Sequence, residues 1–279
     1  MKPNQLLMLA GLSMSALLFS CDREDVLPGK LSNPSTGTPP PAGNTPPPTT
    51  PPANDPPATP PPVTSNSLLT EMGERQFVYD TQNRLVEVKY SQQPALGYNI
   101  VYDGNKPVRI NLKTGGWMLY TYNGDKVSEI VSYYGDNLVN YRYNLEYSGN
   151  LLVKKTSMSY ARYDEGQLHI EEFKYDASGN MTEYASRWSS SNRYEDLSSP
   201  SIIRWGNYDK QPNPMPYIEF GFYLPGIKWS TNNPGYRDTG GGKEFYTYVY
   251  HDSGMPQQRY TKLEAFPWVG AFIEKYSYQ

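Results

Sequence analysis

The sequence has one cysteine, Cys21, and only two histidines among its 279 residues. A single cysteine excludes a disulfide framework and any zinc site built from several cysteines. Neither sign of charge dominates, because the sequence has 25 Lys and Arg and 28 Asp and Glu, which gives a net charge of −3. Binding to nucleic acid needs a basic surface, so we predict no nucleic-acid partner. His169 and His251 lack partners at metal-ligand spacing, and we predict no metal ion or other cofactor.

The apolar run near the start of the sequence is too short to cross a membrane. It covers 14 residues, from Leu6 to Phe19, whereas a membrane-spanning helix needs ~20. Lys2 precedes the run and the small residue Ser20 follows it. A basic start, a short apolar run and a small residue at the cleavage point are typical of a secretory signal peptide.

The end of that run has the residues that attach a lipid. Leu18-Phe19-Ser20-Cys21 resembles the bacterial lipobox, in which the cysteine sulfur receives a diacylglyceryl group before cleavage. The new amino terminus can then be acylated too, and several acyl chains anchor a protein durably. We therefore predict a lipoprotein signal peptide over residues 1–20 and a lipid on Cys21. The alternative is a signal peptide without lipidation, in which the cysteine is incidental.

Three acidic residues follow the cysteine within the segment Asp22-Arg23-Glu24-Asp25. This segment resembles the acidic export signal of surface lipoproteins in Bacteroidota, and it predicts a lipid-anchored protein on the outer membrane, facing outward. An orientation toward the periplasm stays open. In proteobacteria an Asp directly after the cysteine would instead indicate retention in the inner membrane. A solvated charge run without any signal is a further alternative.

A proline-rich segment comes next, with 15 prolines in the 35 positions from 28 to 62. Such a composition buries too little apolar surface to offset the entropy of ordering the chain. In the polyproline II conformation, at ~3.1 Å per residue, it would span on the order of 100 Å. We predict a disordered tether over residues 21–66, and a folded domain over residues 67–279.

Tyrosine is abundant, with 26 residues, and a pattern built on it recurs in the folded domain. Each unit has a Tyr followed by a short polar turn, usually with Asp or Asn and a Gly, and then by apolar residues. The tyrosines of the clearest units are Tyr79, Tyr102, Tyr122, Tyr147, Tyr175 and Tyr250. Asn and Gly at the centre of the turn supply the positive φ that hairpin turns require.

Large apolar residues alternate with polar ones on both sides of these turns. The alternating sets include Tyr141, Tyr143 and Leu145 before a turn, and Val86, Val88 and Tyr90 or Val108, Ile110 and Leu112 after one. A period of two predicts strands with one face buried and one face in water. Consecutive hairpins of this kind form an antiparallel meander.

The predicted fold class is all-β, a curled antiparallel meander of about 12–16 strands that forms a half-barrel or a barrel. Curling is expected because a twisted open sheet rarely exceeds ~10 strands. An integral outer-membrane barrel is the competing interpretation, and it needs a lipid-facing apolar band ~25 Å tall. The face rich in Lys, Arg, Glu and Asn argues against such a band.

The hairpin units resemble the YD repeat, the Tyr-Asp hairpin of Rhs-type and teneurin-type shells, over residues 77–188 and 245–260. The whole chain is similar to a family of uncharacterised Bacteroidota outer-membrane lipoproteins with a porin-like domain. Besides Cys21 and the Tyr-Asp units, the residues that carry this likeness are Tyr208-Asp209-Lys210, Asn213-Pro214, the segment 230–234 and the segment 248–256. The likeness implies a curved antiparallel β domain and a surface or periplasmic location, without an activity.

Exposed aromatic rings are the candidate ligand-binding groups, because sugars stack on indole and phenol faces. Among the five tryptophans, Trp188 and Trp229 stand beside polar, loop-like stretches. Tyr236 and Arg237 are the candidate polar partners. Core packing is the alternative for every tryptophan. No catalytic residue is assigned, since adjacent acids such as Glu171 and Glu172 point to opposite faces of a strand.

Three hypotheses for the function follow. The first is a non-enzymatic, surface-tethered β module that binds a glycan or an envelope partner protein. The second is an exported hydrolase that acts on glycans, and the third is a purely structural envelope component. Two carboxylates that face each other across a cleft would favour the hydrolase. An exposed aromatic platform would favour the binding module, and the structural component predicts neither feature.

Overall fold

A computed structural model describes residues 63–64, 66–160, 166–219 and 221–279. All of these residues lie in the second of two compact units, Ala58–Gln279. The predictions for the signal peptide, for Cys21 and for the proline-rich run concern residues outside these ranges.

The described residues form strands joined by turns and loops, with three short 3-10 turns and no longer helix. The strands are β1 (Leu69–Met72), β2 (Arg75–Tyr79), β3 (Leu85–Tyr90), β4 (Tyr98–Asp103), β5 (Lys106–Leu112), β6 (Trp117–Asn123), β7 (Lys126–Tyr133), β8 (Val139–Ser148), β9 (Leu151–Ser159), β10 (Gln167–Tyr175), β11 (Met181–Trp188), β12 (Ser201–Gly206), β13 (Pro216–Glu219), β14 (Phe222–Lys228), β15 (Tyr236–Asp238), β16 (Lys243–Tyr250), β17 (Pro256–Leu263) and β18 (Phe272–Tyr278). The 3-10 turns are Pro94–Leu96, Gly135–Asn137 and Tyr194–Asp196.

Sixteen of these strands form one closed antiparallel barrel, and β13 and β14 form a separate hairpin. Strand β1 closes the barrel by pairing with both β2 and β18. The prediction of an all-β curled meander with 12–16 strands is confirmed, and the sheet closes completely. Closure pairs every barrel strand on both sides, so the wall has no free edge.

The two ends of the barrel differ in their connections. We call one end the turn rim, because tight turns join the strands there. These turns lie at residues 80–84, 104–105, 124–125, 149–150, 176–180 and 251–255. The opposite end, the loop rim, has mostly longer connections. They include residues 91–97, 113–116, 134–138, 189–200, 239–242 and 264–271. Because β1 starts at the turn rim and β18 ends there, residues 66–68 and Gln279 also lie at this rim.

The barrel interior holds tyrosines of the alternating sets, such as Tyr90 and Tyr143, as the alternation predicted. In β6, Met118 and Tyr120 are buried on the inner side, whereas Leu119 and Thr121 face outward and are exposed. The inner side forms one hydrophobic core that continues from β1 through β12. Burial of this surface, at about 25 cal/mol per Å² of apolar area, is the main term that stabilises the barrel.

The recurring tyrosine has a defined structural role at the turn rim. Its hydroxyl donates a hydrogen bond to a backbone carbonyl near the start of the preceding strand, as when Tyr102 of β4 reaches the Leu85 carbonyl of β3 at 2.8 Å. The same bond joins Tyr79 to Leu69, Tyr122 to Pro107, Tyr175 to Leu152, Tyr208 to Met181 and Tyr278 to Pro256. Each bond contributes about 1 kcal/mol, so the series ties neighbouring hairpins together around the rim.

The first inward residue after each turn differs from the one that the alternation predicted, whereas Val88, Tyr90 and Ile110 farther along the strands are buried as predicted. Leu85 is buried in place of Val86, and Pro107 in place of Val108. The cause is a β-bulge at the recurring tyrosine. It lies between Val78 and Tyr79 in the first unit and recurs at Tyr102, Tyr122, Tyr147, Tyr175 and Tyr250. The extra residue lies on the second strand, as Val86 does between Leu85, which pairs with Tyr79, and Glu87, which pairs with Val78. It interrupts the alternation of faces next to the turn and leaves the faces farther along the strand as predicted.

The outer face of the wall carries ion pairs between neighbouring strands. Examples are Arg142 with Glu129 at 3.0 Å and Lys174 with Glu183 at 2.8 Å. Further pairs join Lys113 to Glu87, Lys154 to Glu146, Arg204 to Glu183 and Lys243 to Asp238. These pairs interrupt any apolar band on this face.

Candidate functional site

The chain leaves the wall after β12 and sends the hairpin β13–β14 into the barrel. Tyr217, Phe222 and Leu224 of this hairpin are almost completely buried. The Tyr120 hydroxyl on the wall donates to the Tyr223 carbonyl at 2.7 Å and accepts from the Tyr223 amide at 3.1 Å. The hairpin therefore occupies the interior as a plug, with its base at the turn rim.

A buried group of three charges fixes the plug to the wall. The Lys155 ammonium on β9 lies 2.6 Å from Glu171 on β10 and 2.6 Å from Glu219 on the plug. Lys155 and Glu171 are 5% and 7% exposed. The Tyr184 hydroxyl donates to Glu171 at 2.8 Å, and Tyr217 donates to Glu219. The two carboxylates raise the Lys155 pKa against the opposing effect of burial, so the lysine stays charged.

A cavity of about 450 Å³ lies at the turn rim, between the plug and strands β1–β4. We call it the rim cavity. Aromatic, amide and cationic side chains line it. They include Tyr79, Tyr102 and Tyr223, the side-chain amide of Asn105, and the cations Arg84 and Lys228. Several prolines and apolar side chains complete the lining. The volume suits a small ligand, since sites for such ligands measure about 300–1,000 Å³.

The tyrosines of the rim cavity lie close to one another. The Tyr223 phenol raises the pKa values of Tyr79 and Tyr102, after the larger effect of burial, and burial also raises its own. Within the described ranges, the Tyr223 hydroxyl and the side-chain amides of Asn83 and Asn105 have no hydrogen-bond partner. These groups are available to a ligand that carries hydroxyl groups.

The two cations of the rim cavity differ in their partners. Arg84 is paired with Asp80, with a closest distance of 2.6 Å, and it also donates to the Gly104 carbonyl. Lys228 donates to the Asn213 carbonyl at 3.1 Å, and no ion pair to it occurs in the described part of the chain. Partial desolvation lowers the Lys228 pKa. The positive charge of Lys228 therefore has no carboxylate to balance it.

The structure places the predicted candidate residues in separate parts of the barrel. Trp188 lies at the loop rim, is 48% exposed and stacks on His169. Trp229 stacks on Tyr217 with the ring centroids 4.3 Å apart and is half-buried against the core. These two tryptophans do not form one platform. Their role in binding stays a prediction.

Tyr236 and Arg237 are adjacent in β15 and point to opposite sides of the wall. Arg237 pairs across the strands with Trp205 and forms an ion pair with Glu244 at 3.0 Å on the inner side. Tyr236 lies against Gly206 on the outer side, where a side chain on that glycine would collide with its ring. Their binding role stays a prediction as well. The residues of the rim cavity were not among the candidates.

His169 occupies a buried position beside the three charges. Its Nε2 atom is 3.0 Å from the Ser186 hydroxyl, and its ring lies 3.4 Å from the Trp188 ring. Burial lowers the His169 pKa to about 3, with a further contribution from Lys155. Because an unfolded chain has a histidine pKa of about 6.5, the unfolded state binds more protons between the two values. The stability due to neutral His169 is therefore lost as the pH falls through this window.

We expect the His169 ring to stay neutral from about pH 8 to about pH 5, where an ordinary histidine becomes protonated, so its signals in an NMR titration should not shift over this range. The measurement needs only two imidazoles to be assigned, and a His251→Gln variant assigns them. A His169→Gln variant should also lose less stability than the wild type over the same range. A His169 signal that titrates near pH 6.5 would contradict the buried, neutral ring.

No group of three or more His, Cys, Asp or Glu side chains that could hold a metal ion occurs in the described ranges. Within the same ranges, no helix has the length and apolar character to span a bilayer.

Comparison with known proteins gives one informative result, and it concerns the fold. The barrel is similar to the crystal structure of a porin-like protein from Bacteroides vulgatus, with a TM-score of 0.53 and 13% identity over 77% of this chain and 99% of that chain. This chain has a porin-like barrel fold. A second porin-like protein, from Bacteroides uniformis, gives a TM-score of 0.47 and 12% identity over 76% of this chain and 94% of that chain. No protein-family model and no curated protein matches the sequence.

The porin-like barrel brings together residues that are distant in the sequence. Tyr79 and Tyr102 belong to the first two hairpins, whereas Tyr223 and Lys228 belong to the plug more than 100 positions later. The sequence signal for the plug is the break in alternation after β12, with its cluster of prolines. That signal marks an unusual segment, but it does not say which strands the segment contacts.

Proposed function

We propose that the protein is a lipid-anchored binding module of the bacterial outer membrane, which receives its ligand in the rim cavity of a plugged, water-surrounded barrel. The observation that carries the proposal is the rim cavity, where aromatic faces, free amides and a cation surround a space of about 450 Å³. The predicted lipid on Cys21 and the likeness to Bacteroidota surface lipoproteins supply the membrane attachment in this proposal.

The outer wall supports a barrel that stands in water. A membrane barrel presents a continuous apolar band to lipid, and a charged side chain at the bilayer midplane costs about 2–4 kcal/mol there. The cross-strand ion pairs, such as Glu129 with Arg142 and Glu146 with Lys154, would have to enter that band. In this proposal the acyl chains, and not the wall, hold the protein to the membrane.

The plug supports binding over transport. A pore needs an open lumen, whereas here the hairpin β13–β14 packs against β6 through Tyr120 and against β9 through Lys155. Contacts with two separate strands of the wall hold the plug in place. Its base leaves the rim cavity as a pocket that opens at one end.

The carboxylates support a binding module over a hydrolase. Glu171 and Glu219 approach each other, but Lys155 lies between them and both also accept from tyrosines. A glycosidase needs one carboxylate free to donate a proton and another free to assist a nucleophile or act as one. Because Lys155 and the tyrosines already engage both carboxylates, Glu171 and Glu219 form a structural network and not a catalytic pair. No specific observation favours the hydrolase hypothesis.

The test is ligand binding with the cavity obstructed at one turn. The purified full-length protein is screened against an array of oligosaccharides, and the affinity of each hit is measured again for Asn105→Trp. Asn105 lines the rim cavity and stands next to the turn residue Gly104. We expect the indole to fill the entrance and to lower the affinity by at least about tenfold, equivalent to about 1.4 kcal/mol.

Asn150→Trp is the matched control. Asn150 follows Gly149 in the corresponding turn of another hairpin and does not line the rim cavity. We expect this variant to bind like the wild type. Equal affinities of Asn105→Trp and wild type for every hit would contradict the proposal. Ion conductance through planar bilayers by the intact protein would contradict it too, because it would require an open lumen.

A further inference from the structure

The charged side chains found in the lining of the rim cavity are positive. Among the residues that the structure describes, its lining contains Arg84 and Lys228 but no Asp or Glu. The nearest counter-charge to Arg84 is Asp80, which lies outside the lining and accepts from Arg84 at 2.8 Å and 2.6 Å. The positive charge that remains for a ligand is therefore that of Lys228.

We infer that the rim cavity binds an acidic oligosaccharide, in which a sugar carboxylate pairs with Lys228 while the ring lies against the tyrosine and proline faces. This inference rests on the proposed function, and it names the class of ligand for the same cavity. A charge-assisted hydrogen bond from an ammonium group to a carboxylate is about twice as strong as one between neutral groups.

The neutral groups of the cavity fit the remainder of such a ligand. Asn83 and Asn105 offer both donors and acceptors to sugar hydroxyls, and the Tyr223 hydroxyl offers one donor and an acceptor. Apolar surface comes from Leu69, Leu85 and Ile227, which lie in the same lining. The mixture of rigid aromatic surface with a few convergent polar groups is typical of pockets for ring-shaped polar ligands.

A carboxylate fits better than a phosphate or sulfate group. A dianionic phosphate group is usually held by several donors, such as paired arginines or a series of backbone N–H groups. In the rim cavity the Arg84 guanidinium is already engaged by Asp80 and by the Gly104 carbonyl. The ammonium group of Lys228, which has no ion pair among the described residues, matches a single negative charge.

The experiment compares one oligosaccharide in charged and neutral forms. Oligogalacturonides and the same oligogalacturonides after methyl esterification are titrated into the full-length protein by calorimetry. Esterification removes the charge and keeps the rings. We expect the acid form to bind about tenfold more tightly than the ester, and we expect added salt to reduce this difference because it screens the pairing.

Variants then assign the difference to one side chain. Lys228→Met should lower the affinity for the acid form about tenfold and leave the affinity for the ester unchanged. Lys262→Met is the matched control, since Lys262 is an exposed lysine of β17 outside the cavity lining. Circular dichroism and the unfolding midpoint of both variants show whether the fold is kept.

The other outcomes separate the two proposals. Equal binding of acid and ester, with loss in Asn105→Trp, would overturn the acidic class and keep the cavity as a glycan site. A preference for acid that survives in Lys228→Met would overturn the assignment to Lys228. If neither form binds but a neutral array glycan binds at the cavity, the acidic class is again overturned. If no saccharide binds, both proposals are overturned.

Discussion

Replacing Lys155 with methionine is expected to lower the free energy of unfolding by about 3–5 kcal/mol. The ammonium group balances two carboxylates in a place where its side chain is 5% exposed. Without it, Glu171 and Glu219 remain close together with no cation between them. A buried charge that loses its partner keeps the whole cost of desolvation, which is why the change is far larger than the loss of a surface ion pair.

Lys154→Met is the matched control for this prediction. Lys154 is the preceding residue on the same strand, but it faces outward and pairs at 3.0 Å with Glu146, whose side chain is 58% exposed. Its loss should cost less than about 1 kcal/mol. Guanidinium unfolding of both variants gives the comparison, with equal m-values required. Similar costs for the two lysines would contradict the role assigned to the buried charges.

A compensating variant tests the cause of the Lys155 effect. Adding Glu171→Gln and Glu219→Gln to Lys155→Met removes the two charges that the lysine balanced. We expect the triple variant to be more stable than Lys155→Met alone, because neutral amides cost less to bury than unpaired carboxylates. A triple variant that is less stable still would indicate that packing, and not charge balance, causes the effect.

The second prediction concerns attachment to the membrane. Cys21→Ala should abolish labelling of the protein by palmitate and release nearly all of the protein from the washed membrane fraction. Each buried CH₂ of an acyl chain contributes about 0.8 kcal/mol to membrane binding. Removing the only site for these chains therefore leaves the charged outer wall without a membrane anchor. Labelling in growing cells and carbonate washing of the membranes measure both effects.

Ser20→Ala is the control for the cysteine variant, because it keeps a small residue before Cys21 and should keep the lipid. If wild-type protein takes up no palmitate, the lipobox prediction is wrong. If Cys21→Ala protein stays in the washed membranes, the acyl chains are not what holds the protein there. The second result would favour a wall that enters the bilayer.

The sequence allows the fold class to be predicted because the signal is local and repeated. Each hairpin has its own turn residues and its own alternation, and both can be recognised within about 20 residues. The first buried residue after each turn could not be predicted by alternation alone. Opposite Tyr79, Val86 is the extra residue of a bulge, so Leu85 is the first inward residue, whereas Val88 and Tyr90 are inward as the alternation predicted. A single extra residue interrupts the alternation at one point of the strand, and local composition does not show where that point lies.

The candidate site was less accessible to sequence analysis. The rim cavity needs both the barrel closure and the insertion of the plug, and each brings together residues far apart in the chain. Lys155 and Glu219 are 64 positions apart, and Tyr120 and Tyr223 are 103 apart. Nothing in the residues around Lys155 distinguishes it from the outward-facing, half-buried Lys154. Burial of one and not the other follows from which face of β9 meets the plug.

The series of tyrosine hydroxyl bonds has a consequence for how this protein can diversify. The bonds of Tyr79 and Tyr278 join β1 to β2 and β17 to β18, on the two sides of the seam, and backbone bonds between Leu68 and Gln279 close the seam itself at the turn rim. The loop rim takes no part in this fastening. Related chains can therefore lengthen or exchange the loops at that end without opening the cylinder, and new recognition surfaces can evolve there at little expense to folding.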